Sequence, residues 1–175
     1  GRFAKEKGVL QAIQVAKRAG IKLRLAGDDI SKQYSYFQKK IKPYIQRGEV
    51  QEASFFGPEE RGVFLKGMKA LLFPIQWEEP FGMVMIEAMA CGTPVIAFNR
   101  GSVSEVIKDG QTGYIVPPEK GMDGFYDAIK TLLSLPSEEY EKMRKACREH
   151  VEKHFSIKVM AQDHEKLYVK LIQNK

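Results

Sequence analysis

The chain has 175 residues, of which 43% are hydrophobic and 29% charged, and its formal net charge is +6. This length fits one globular domain with a sizeable core, and the composition excludes a disordered polypeptide. No apolar run approaches the roughly 20 residues that a membrane-spanning helix needs, and the first residues lack the apolar segment of a signal peptide. We therefore expect neither a membrane span nor a secretory leader.

The positive charge favours anionic partners, although lysine-rich helix surfaces that are merely solvated would give the same excess. No basic run is interleaved with aromatic residues, so the sequence does not favour a nucleic-acid partner. Cys91 and Cys147 lie far apart in predicted helical surroundings, which predicts free thiols and favours the cytoplasm. The histidines do not combine with them in a metal-binding pattern, so no metal site is expected.

The hydrophobic pattern predicts alternating helices and strands along the chain. We expect strands at 21–26, 50–56, 71–73, 94–98 and 114–116, and helices at 8–19, 31–45, 59–69, 83–90, 102–105, 122–133, 136–154 and 156–172. This alternation predicts an α/β fold, Rossmann-like, with a parallel sheet covered by helices on both faces. The whole chain, 1–175, is expected to form this one domain, with helices alone from about 122 to 173.

Two local features are predicted within these elements. Val63, Phe64 and Met68 should form the buried face of the helix at 59–69. Ser102 and Glu105 have the spacing of a capping box, in which the serine hydroxyl would accept a hydrogen bond from the first turn of a short helix.

The stretch 71–98 is the most informative part of the chain. It is predicted as strand, loop, helix and second strand, with Gly92 ending the helix. Glu79 precedes this helix and Glu87 lies within it, seven residues intervening. A short apolar crossover of this kind suits a parallel sheet, in which ligands bind at the carboxyl ends of the strands.

This stretch also predicts anion binding. Phe81, Gly82 and Met83 would place backbone N–H groups at a helix N-terminus, where they can bind phosphate. Glu87 could accept hydrogen bonds from two hydroxyl groups, as in a ribose diol, and Glu79 could accept hydrogen bonds from a sugar. The alternative for Glu87 is a surface carboxylate, but its apolar neighbours would then leave it in need of a partner.

Arg2 and Lys7 precede a glycine and a helix, so they could clamp a diphosphate. By spacing alone this signal is weak, because cations near a chain start are usually solvated. The chain has no G-x-G-x-x-G after a strand, no G-x-x-x-x-G-K-[ST] and no G-x-S-x-G. These absences argue against a nicotinamide-type Rossmann site, a P-loop NTPase and a hydrolase nucleophile elbow.

The motif Glu79-Pro80-Phe81-Gly82, together with the sequence from Glu87 to Ala97, resembles the E-x7-E signature of family-4 retaining glycosyltransferases. These enzymes have the GT-B fold, in which two Rossmann-like domains face each other across a cleft. Gly1-Arg2 with Lys7-Gly8 resembles the family's phosphate loop. Phe55-Phe56-Gly57 resembles its element beside the nucleotide base.

The resemblance implies that the chain is the C-terminal, donor-binding half of such an enzyme. The acceptor-binding half and the first strand of the donor domain are expected to be missing. The helix after Phe155-Ser156 resembles the family's closing helix, which packs against the other half, so its apolar face is expected to be exposed here.

The resemblance also assigns roles to individual residues. Arg2 and Lys7 would bind the diphosphate and offset the charge of the leaving group, and Glu79 would contact the transferred sugar. Glu87 would bind the ribose hydroxyls.

The backbone amides of Phe81, Gly82 and Met83 would hold sugar hydroxyls and phosphate. No cofactor and no metal would be required, because the donor is a nucleoside-diphosphate sugar (UDP-, GDP- or ADP-linked) whose charge is met by cationic side chains and the helix N-terminus.

Two other readings stay open at the level of sequence. One is another GT-B relative, a sugar-nucleotide epimerase or a phosphorylase. The other is a non-catalytic module whose basic face docks on an anionic membrane, as a peripheral contact, or on a partner protein. The sugar, the base and the acceptor are not specified by these residues.

Overall fold

The computed structural model describes residues 2–27, 31–53 and 57–173. The strands are β1 (Arg24–Ala26), β2 (Gln51–Ala53), β3 (Leu71–Phe73), β4 (Val95–Phe98) and β5 (Gly113–Val116). The α-helices are α1 (Val9–Ala19), α2 (Lys42–Gln46), α3 (Pro58–Lys66), α4 (Met83–Ala90), α5 (Val103–Val106), α6 (Gly121–Ser134), α7 (Ser137–His154) and α8 (Ile157–Gln173). Shorter turns of 3-10 helix cover Lys5–Lys7, Ser31–Gln33 and Pro118–Lys120, and Phe37–Ile41 is a π-helix.

A strand forms in each of the five segments predicted as strands, although β5 begins one residue earlier than predicted, at Gly113. Every strand pairing among the described residues is parallel. The predicted strand at 50–56 is described only to Ala53, because residues 54–56 lie outside the described ranges, as does the turn at 28–29. All four residues of β4 are buried, which a strand achieves only when both of its faces are covered. The predicted α/β class, with helices on both faces, is confirmed.

The strands form two sheets where one was expected: β1 pairs with β2, and β3, β4 and β5 form a separate sheet in that order. The helix layer is continuous across the gap, because α1 packs on α6 and Arg18 of α1 forms an ion pair with Asp123 of α6. β1 and β3 each have one paired edge, and residues of both line the same cavity, together with Arg2. Among the described residues, no strand lies between β1 and β3.

The main core lies around the three-stranded sheet and α4, α6 and α7, with Met85, Met89, Ile96, Phe125 and Cys147 buried. A second, smaller cluster lies beside β1 and β2. The loops that follow the C-terminal ends of the strands therefore extend from a well-packed core, which a precise ligand site requires.

The predicted buried face of α3 is wrong in part. Val63 has 76% of its surface exposed, whereas Leu65 is 6% exposed and belongs to the main core. Phe64 is half-buried, with the Arg24 guanidinium 4.7 Å from its ring centroid. The helix also ends at Lys66, before Met68. The apolar residues of this segment surround the helix, so periodicity alone could not select the inner face.

The predicted capping box at Ser102 is also wrong. Ser102 has helical backbone angles and its hydroxyl makes no capping hydrogen bond. A capping side chain needs an extended backbone at the N-cap to reach the first turn. Ser102 instead donates its backbone N–H to the Glu79 carbonyl at 2.9 Å.

The last helix, α8, contributes no buried residue to the core. Apart from the part-buried Val159, its large apolar side chains are exposed, as was expected: Ile157, Met160, Leu167, Tyr168, Val169, Leu171 and Ile172. None of the helices in the described ranges combines the length and apolarity that crossing a bilayer requires.

Candidate functional site

One cavity of about 1040 Å³ contains all of the residues that the sequence predicted for the site. It lies against β1 and β3, and its lining includes Arg2, Lys7, Glu79, Phe81, Gly82, Met83 and Glu87. These residues come from the chain start, the loop after β3 and α4, so the fold assembles them from separate segments. What the structure establishes is their common location; their individual roles stay predictions.

Glu79 is the most constrained carboxylate of the cavity. It is 7% exposed, and its Oε2 accepts hydrogen bonds from Lys7 Nζ at 2.6 Å and from Trp77 Nε1 at 3.0 Å. Its backbone carbonyl accepts the Ser102 N–H. A buried charge needs such partners, because an unpaired carboxylate in a low-dielectric environment is strongly destabilising.

Gly8 explains how Lys7 reaches this carboxylate. Its φ is +71°, and a Cβ at this position would lie 1.9 Å from the Pro74 carbonyl oxygen. Only glycine allows the turn that follows Lys5–Lys7 to pack this closely on the end of β3. The Gln76 N–H donates to the Glu6 carbonyl at 2.8 Å, which fastens the two segments together.

Gly82 forms the N-cap of α4, with φ at +73°. A Cβ there would lie 2.5 Å from the Met85 Cε and 3.3 Å from the Glu79 Cγ. Met85 N–H bonds to the Gly82 carbonyl, whereas the N–H groups of Phe81, Gly82 and Met83 donate to no described residue. The first turn of α4 therefore presents free donors and the positive end of a helix dipole beside the cavity.

Glu87 extends from α4 and is part-exposed at the cavity wall. Its Oε1 accepts a hydrogen bond from the Arg61 guanidinium on α3 at 2.9 Å. The buried residues of α4 are Met85, Ala88 and Met89, so Glu87 lies on the side of the helix that is not packed in the core. The sequence requirement that Glu87 find a partner is met by Arg61.

Arg2 and Lys7 do not contact a common group. The Arg2 side chain is 62% exposed and lies 3.6 Å from the Glu6 carboxylate, one turn away. Lys7 is held by Glu79, and its ammonium is 5.1 Å from the centroid of the Trp77 ring. Both cations line the cavity, and the diphosphate clamp expected of them stays a prediction.

Two cavity residues that contact the predicted carboxylates were not assigned to the site from the sequence. They are Trp77, whose indole N–H donates to Glu79, and Arg61, whose guanidinium donates to Glu87. Trp77 is followed two positions later by Glu79, a spacing at which side chains of an extended loop lie on one side. The Arg61 contact spans 26 positions, and no local signal could have identified it.

The two free cysteines do not form part of the cavity lining. Burial raises the pKa of the Cys147 thiol to about 12, and burial also raises the pKa of Cys91. Burial lowers the pKa of His150, whose Nε2 lies 3.0 Å from the Val106 carbonyl. Within the described ranges, no group of three or more His, Cys, Asp or Glu residues has a metal-binding arrangement.

A model of the family described as glycosyl transferases group 1 matches residues 1–150. This match covers more than half of the chain and includes every residue of the site. The chain belongs to this family. The resemblance to family-4 glycosyltransferases drawn from the E-x7-E stretch is thereby confirmed.

Curated relatives agree with this membership. The lipopolysaccharide 1,2-N-acetylglucosaminetransferase of Salmonella typhimurium is 31% identical, over 77% of this chain and 38% of that protein. Glycogen synthase of Mycobacterium tuberculosis is 30% identical, over 83% of this chain and 36% of that protein. The chain therefore spans less than half the length of these relatives.

Solved structures show the same proportion. Sucrose-phosphate synthase from Thermosynechococcus elongatus superposes with a TM-score of 0.81 at 30% identity, over 100% of this chain and 45% of that one. Anabaena HepE in complex with UDP-glucose gives a TM-score of 0.78 at 21% identity, over 97% of this chain and 47% of that one. The second likeness shows the fold alone. The predicted fold, one half of a GT-B architecture, is confirmed.

Proposed function

We propose that this chain is the donor-binding domain of a retaining glycosyltransferase, which transfers a hexose from a nucleoside-diphosphate sugar to an acceptor hydroxyl. The observation that carries the proposal is the assembly of Lys7, Glu79, Glu87 and the α4 N-terminus around one cavity. Family membership supports the reaction class, because the matched model is one of glycosyl transferases.

The diphosphate of the donor would bind between the α4 N-terminus and the cations Lys7 and Arg2. An ammonium group has three N–H donors, so Lys7 can keep its bond to Glu79 and still donate to phosphate oxygens. The unpaired N–H groups of Phe81, Gly82 and Met83 supply further donors without needing to reorganise. Arg2, now paired weakly with Glu6, is exposed enough to move onto the phosphate.

Glu87 would bind the ribose hydroxyls, and Glu79 the hydroxyls of the transferred sugar. The Glu87 carboxylate lies on the cavity wall with its Oε1 held by Arg61. Its Oε2 accepts no hydrogen bond from the described residues, which leaves an acceptor for a hydroxyl donor.

In the proposed reaction, the bond between C1 of the sugar and the phosphate oxygen breaks, and the nucleoside diphosphate leaves with the electron pair. The acceptor oxygen attacks C1 on the same face, and its proton passes to the leaving phosphate. Lys7, Arg2 and the α4 N-terminus would stabilise the charge that develops on this phosphate. No protein nucleophile and no metal are needed for this route.

The acceptor would bind mainly to a second Rossmann-like domain that completes the GT-B cleft. The chain matches less than half of the length of its curated relatives, so we propose that transfer requires that further half and that this domain alone is inactive. The free thiols of Cys91 and Cys147 favour a reducing compartment such as the cytoplasm.

Thermal unfolding of the chain with UDP, GDP and ADP at millimolar concentration tests donor binding. Occupancy at a hundred times Kd stabilises a protein by about 2.7 kcal/mol, which raises Tm by roughly 5–10 °C at this size. The combined variant Lys7→Ala with Glu87→Ala should lose this shift, measured against its own ligand-free Tm, whereas Lys5→Ala should keep it. Lys5 is the matched control, because it lies in the same turn and is exposed. If none of the three nucleotides shifts Tm, the proposal is overturned.

A docking role for the chain is a second candidate, favoured by the exposed apolar residues of α8 and the net charge of +6. Sedimentation with vesicles of anionic phospholipid across a salt series tests it. Binding that weakens as salt rises would support a peripheral membrane contact, and no binding at low salt would remove it.

A further inference from the structure

Trp77 is the only tryptophan of the chain, and it makes two contacts with site residues, Glu79 and Lys7. Its indole N–H donates to Glu79 Oε2 at 3.0 Å. Lys7 Nζ donates to the same oxygen at 2.6 Å and lies 5.1 Å from the centroid of the indole ring. Trp77, Lys7 and Glu79 therefore form a closed triangle on the wall of the cavity.

The triangle engages only one of the two carboxylate oxygens. Both donors share Oε2, and Oε1 of Glu79 accepts no hydrogen bond from any described residue. Rotation of the carboxylate would break both bonds to Oε2 at a residue that is only 7% exposed. The carboxylate is thus held in one orientation, and Oε1 is the oxygen that stays available to a ligand.

The two donors to Oε2 differ in how a bound anion would affect them. The Lys7 ammonium is a mobile point charge, so a phosphate group in the cavity would share it with Glu79 and weaken its hold on the carboxylate. The indole N–H is neutral, rigidly attached to its ring and able only to donate. It can hold Glu79 in place while Lys7 is shared with a ligand.

Simple packing does not account for this arrangement. Trp77 is 38% exposed, so much of its ring is not used in the core. What distinguishes the residue is the direction of its N–H, which meets a buried carboxylate in a charge-assisted hydrogen bond.

We propose that Trp77 is a positioning residue of the donor site: its N–H fixes Glu79 Oε2, so that Oε1 is presented to the sugar of the donor. This inference rests on the proposed function. Trp77 acts through Glu79, and its own contact with the donor is not required.

A first experiment measures the contact without any donor. A ¹⁵N-labelled chain gives a single indole N–H resonance because it has one tryptophan. Glu79→Gln replaces the charged acceptor by a neutral one, so this resonance should move upfield and exchange faster with solvent. Glu78→Gln is the matched control, since Glu78 pairs with Arg100 and the Gly101 N–H instead. An indole resonance unmoved by Glu79→Gln overturns the inference.

A second experiment separates positioning from packing. Trp77→Phe keeps an aromatic ring near Lys7 and removes the N–H, with a smaller single ring in place of the indole. Calorimetric titration with UDP-glucose, GDP-mannose and ADP-glucose should show affinity for the preferred donor about tenfold lower in this variant. The double variant Trp77→Phe with Glu79→Gln should bind no more weakly than Glu79→Gln alone, because both changes remove the same interaction.

The outcomes distinguish the two proposals. If the unmodified chain binds none of the three nucleotide sugars, the proposed function fails, and the role of Trp77 in it fails as well. If it binds one of them and Trp77→Phe binds that donor equally well, only the inference about Trp77 is overturned. The same holds if the loss of affinity in the double variant equals the product of the losses in Trp77→Phe and Glu79→Gln. The Tm of each variant shows whether it folds. If Trp77→Phe does not fold, Trp77→His replaces it; this variant keeps a ring N–H and should therefore retain donor binding.

Discussion

Lys7 Nζ lies 2.6 Å from Glu79 Oε2, although 72 positions separate the two residues. The Lys7 side chain is 22% exposed and that of Glu79 is 9% exposed. This pair joins the turn before α1 to the loop before α4. The family resemblance assigns both of these segments to the binding of the sugar-nucleotide donor.

Removal of Lys7 should destabilise the fold. Lys7→Met leaves a buried carboxylate with Trp77 as its remaining side-chain donor, which should lower the free energy of unfolding by about 2 kcal/mol. Urea denaturation measures the change, with Lys5→Met as the control. Adding Glu79→Gln to Lys7→Met should recover part of the loss, because the unpaired charge is removed. Equal stability of Lys7→Met and Lys5→Met would show that the Lys7–Glu79 pair does not contribute to the free energy of unfolding.

The Arg61–Glu87 pair should affect ligand binding more than stability. Both side chains are part-exposed, at 39% and 31%, so solvent screens their attraction and Arg61→Met should change unfolding by less than about 0.5 kcal/mol. Donor affinity should nevertheless fall several-fold, because Glu87 loses the group that orients it. The exposed Lys142–Glu138 pair on α7 provides a control, and Lys142→Met should leave both quantities unchanged. A loss of stability above 2 kcal/mol in Arg61→Met would contradict this reading.

Gly82→Ala should cost more than the same change at Gly110. Both glycines have φ near +72°, but an added Cβ meets nothing at Gly110, whereas at Gly82 it lies 2.5 Å from Met85 Cε. Gly110→Ala should lose about 1 kcal/mol for its backbone angles alone. Gly82→Ala should lose about 2–3 kcal/mol and should also disturb the N-terminus of α4. Chemical denaturation of both variants gives the comparison, and equal losses would mean that Met85 moves aside freely.

The two faces of α3 predict opposite outcomes for two aliphatic truncations. Leu65→Ala removes a core side chain that is 6% exposed and should cost about 2–4 kcal/mol. Val63→Ala changes a residue that is 76% exposed and should stay within about 0.5 kcal/mol. Thermal melts of the two variants test the orientation of the helix directly. A large loss at Val63 with none at Leu65 would require α3 to be rotated.

Alkaline pH should destabilise the fold through Cys147. Burial raises the pKa of this thiol from 9.0 to about 12, so the folded state keeps its proton where the unfolded state has lost it. The contribution is complete below pH 9 and is lost as pH rises towards the folded pKa. Near pH 10.5 the loss should reach about 2 kcal/mol. Urea titrations at pH 8 and pH 10.5 under reducing conditions should show a smaller fall in Cys147→Ala than in Cys91→Ala, and an equal fall would contradict the assignment.

The stretch 71–98 shows which structural features local sequence signals can predict. An apolar run ended by Pro74, a block of helix formers and Gly92 gave the start and end of α4 correctly. All of these signals depend on neighbours within a few positions, such as side-chain size, backbone freedom and helix propensity. The same locality explains the error at Val63, since the inner face of a helix is chosen by what packs against it.

By itself, the sequence determined the parallel α/β class, the positions of the five strands and seven of the residues that line the cavity. It could do so because strand length, helix periodicity and motif spacing are local quantities. Only the tertiary structure decided that Lys7 and Trp77 share one oxygen of Glu79, that Arg61 holds Glu87 and that the sheet is split between β1 and β3. These relations join residues distant in the chain, and they follow from how the layers pack in three dimensions.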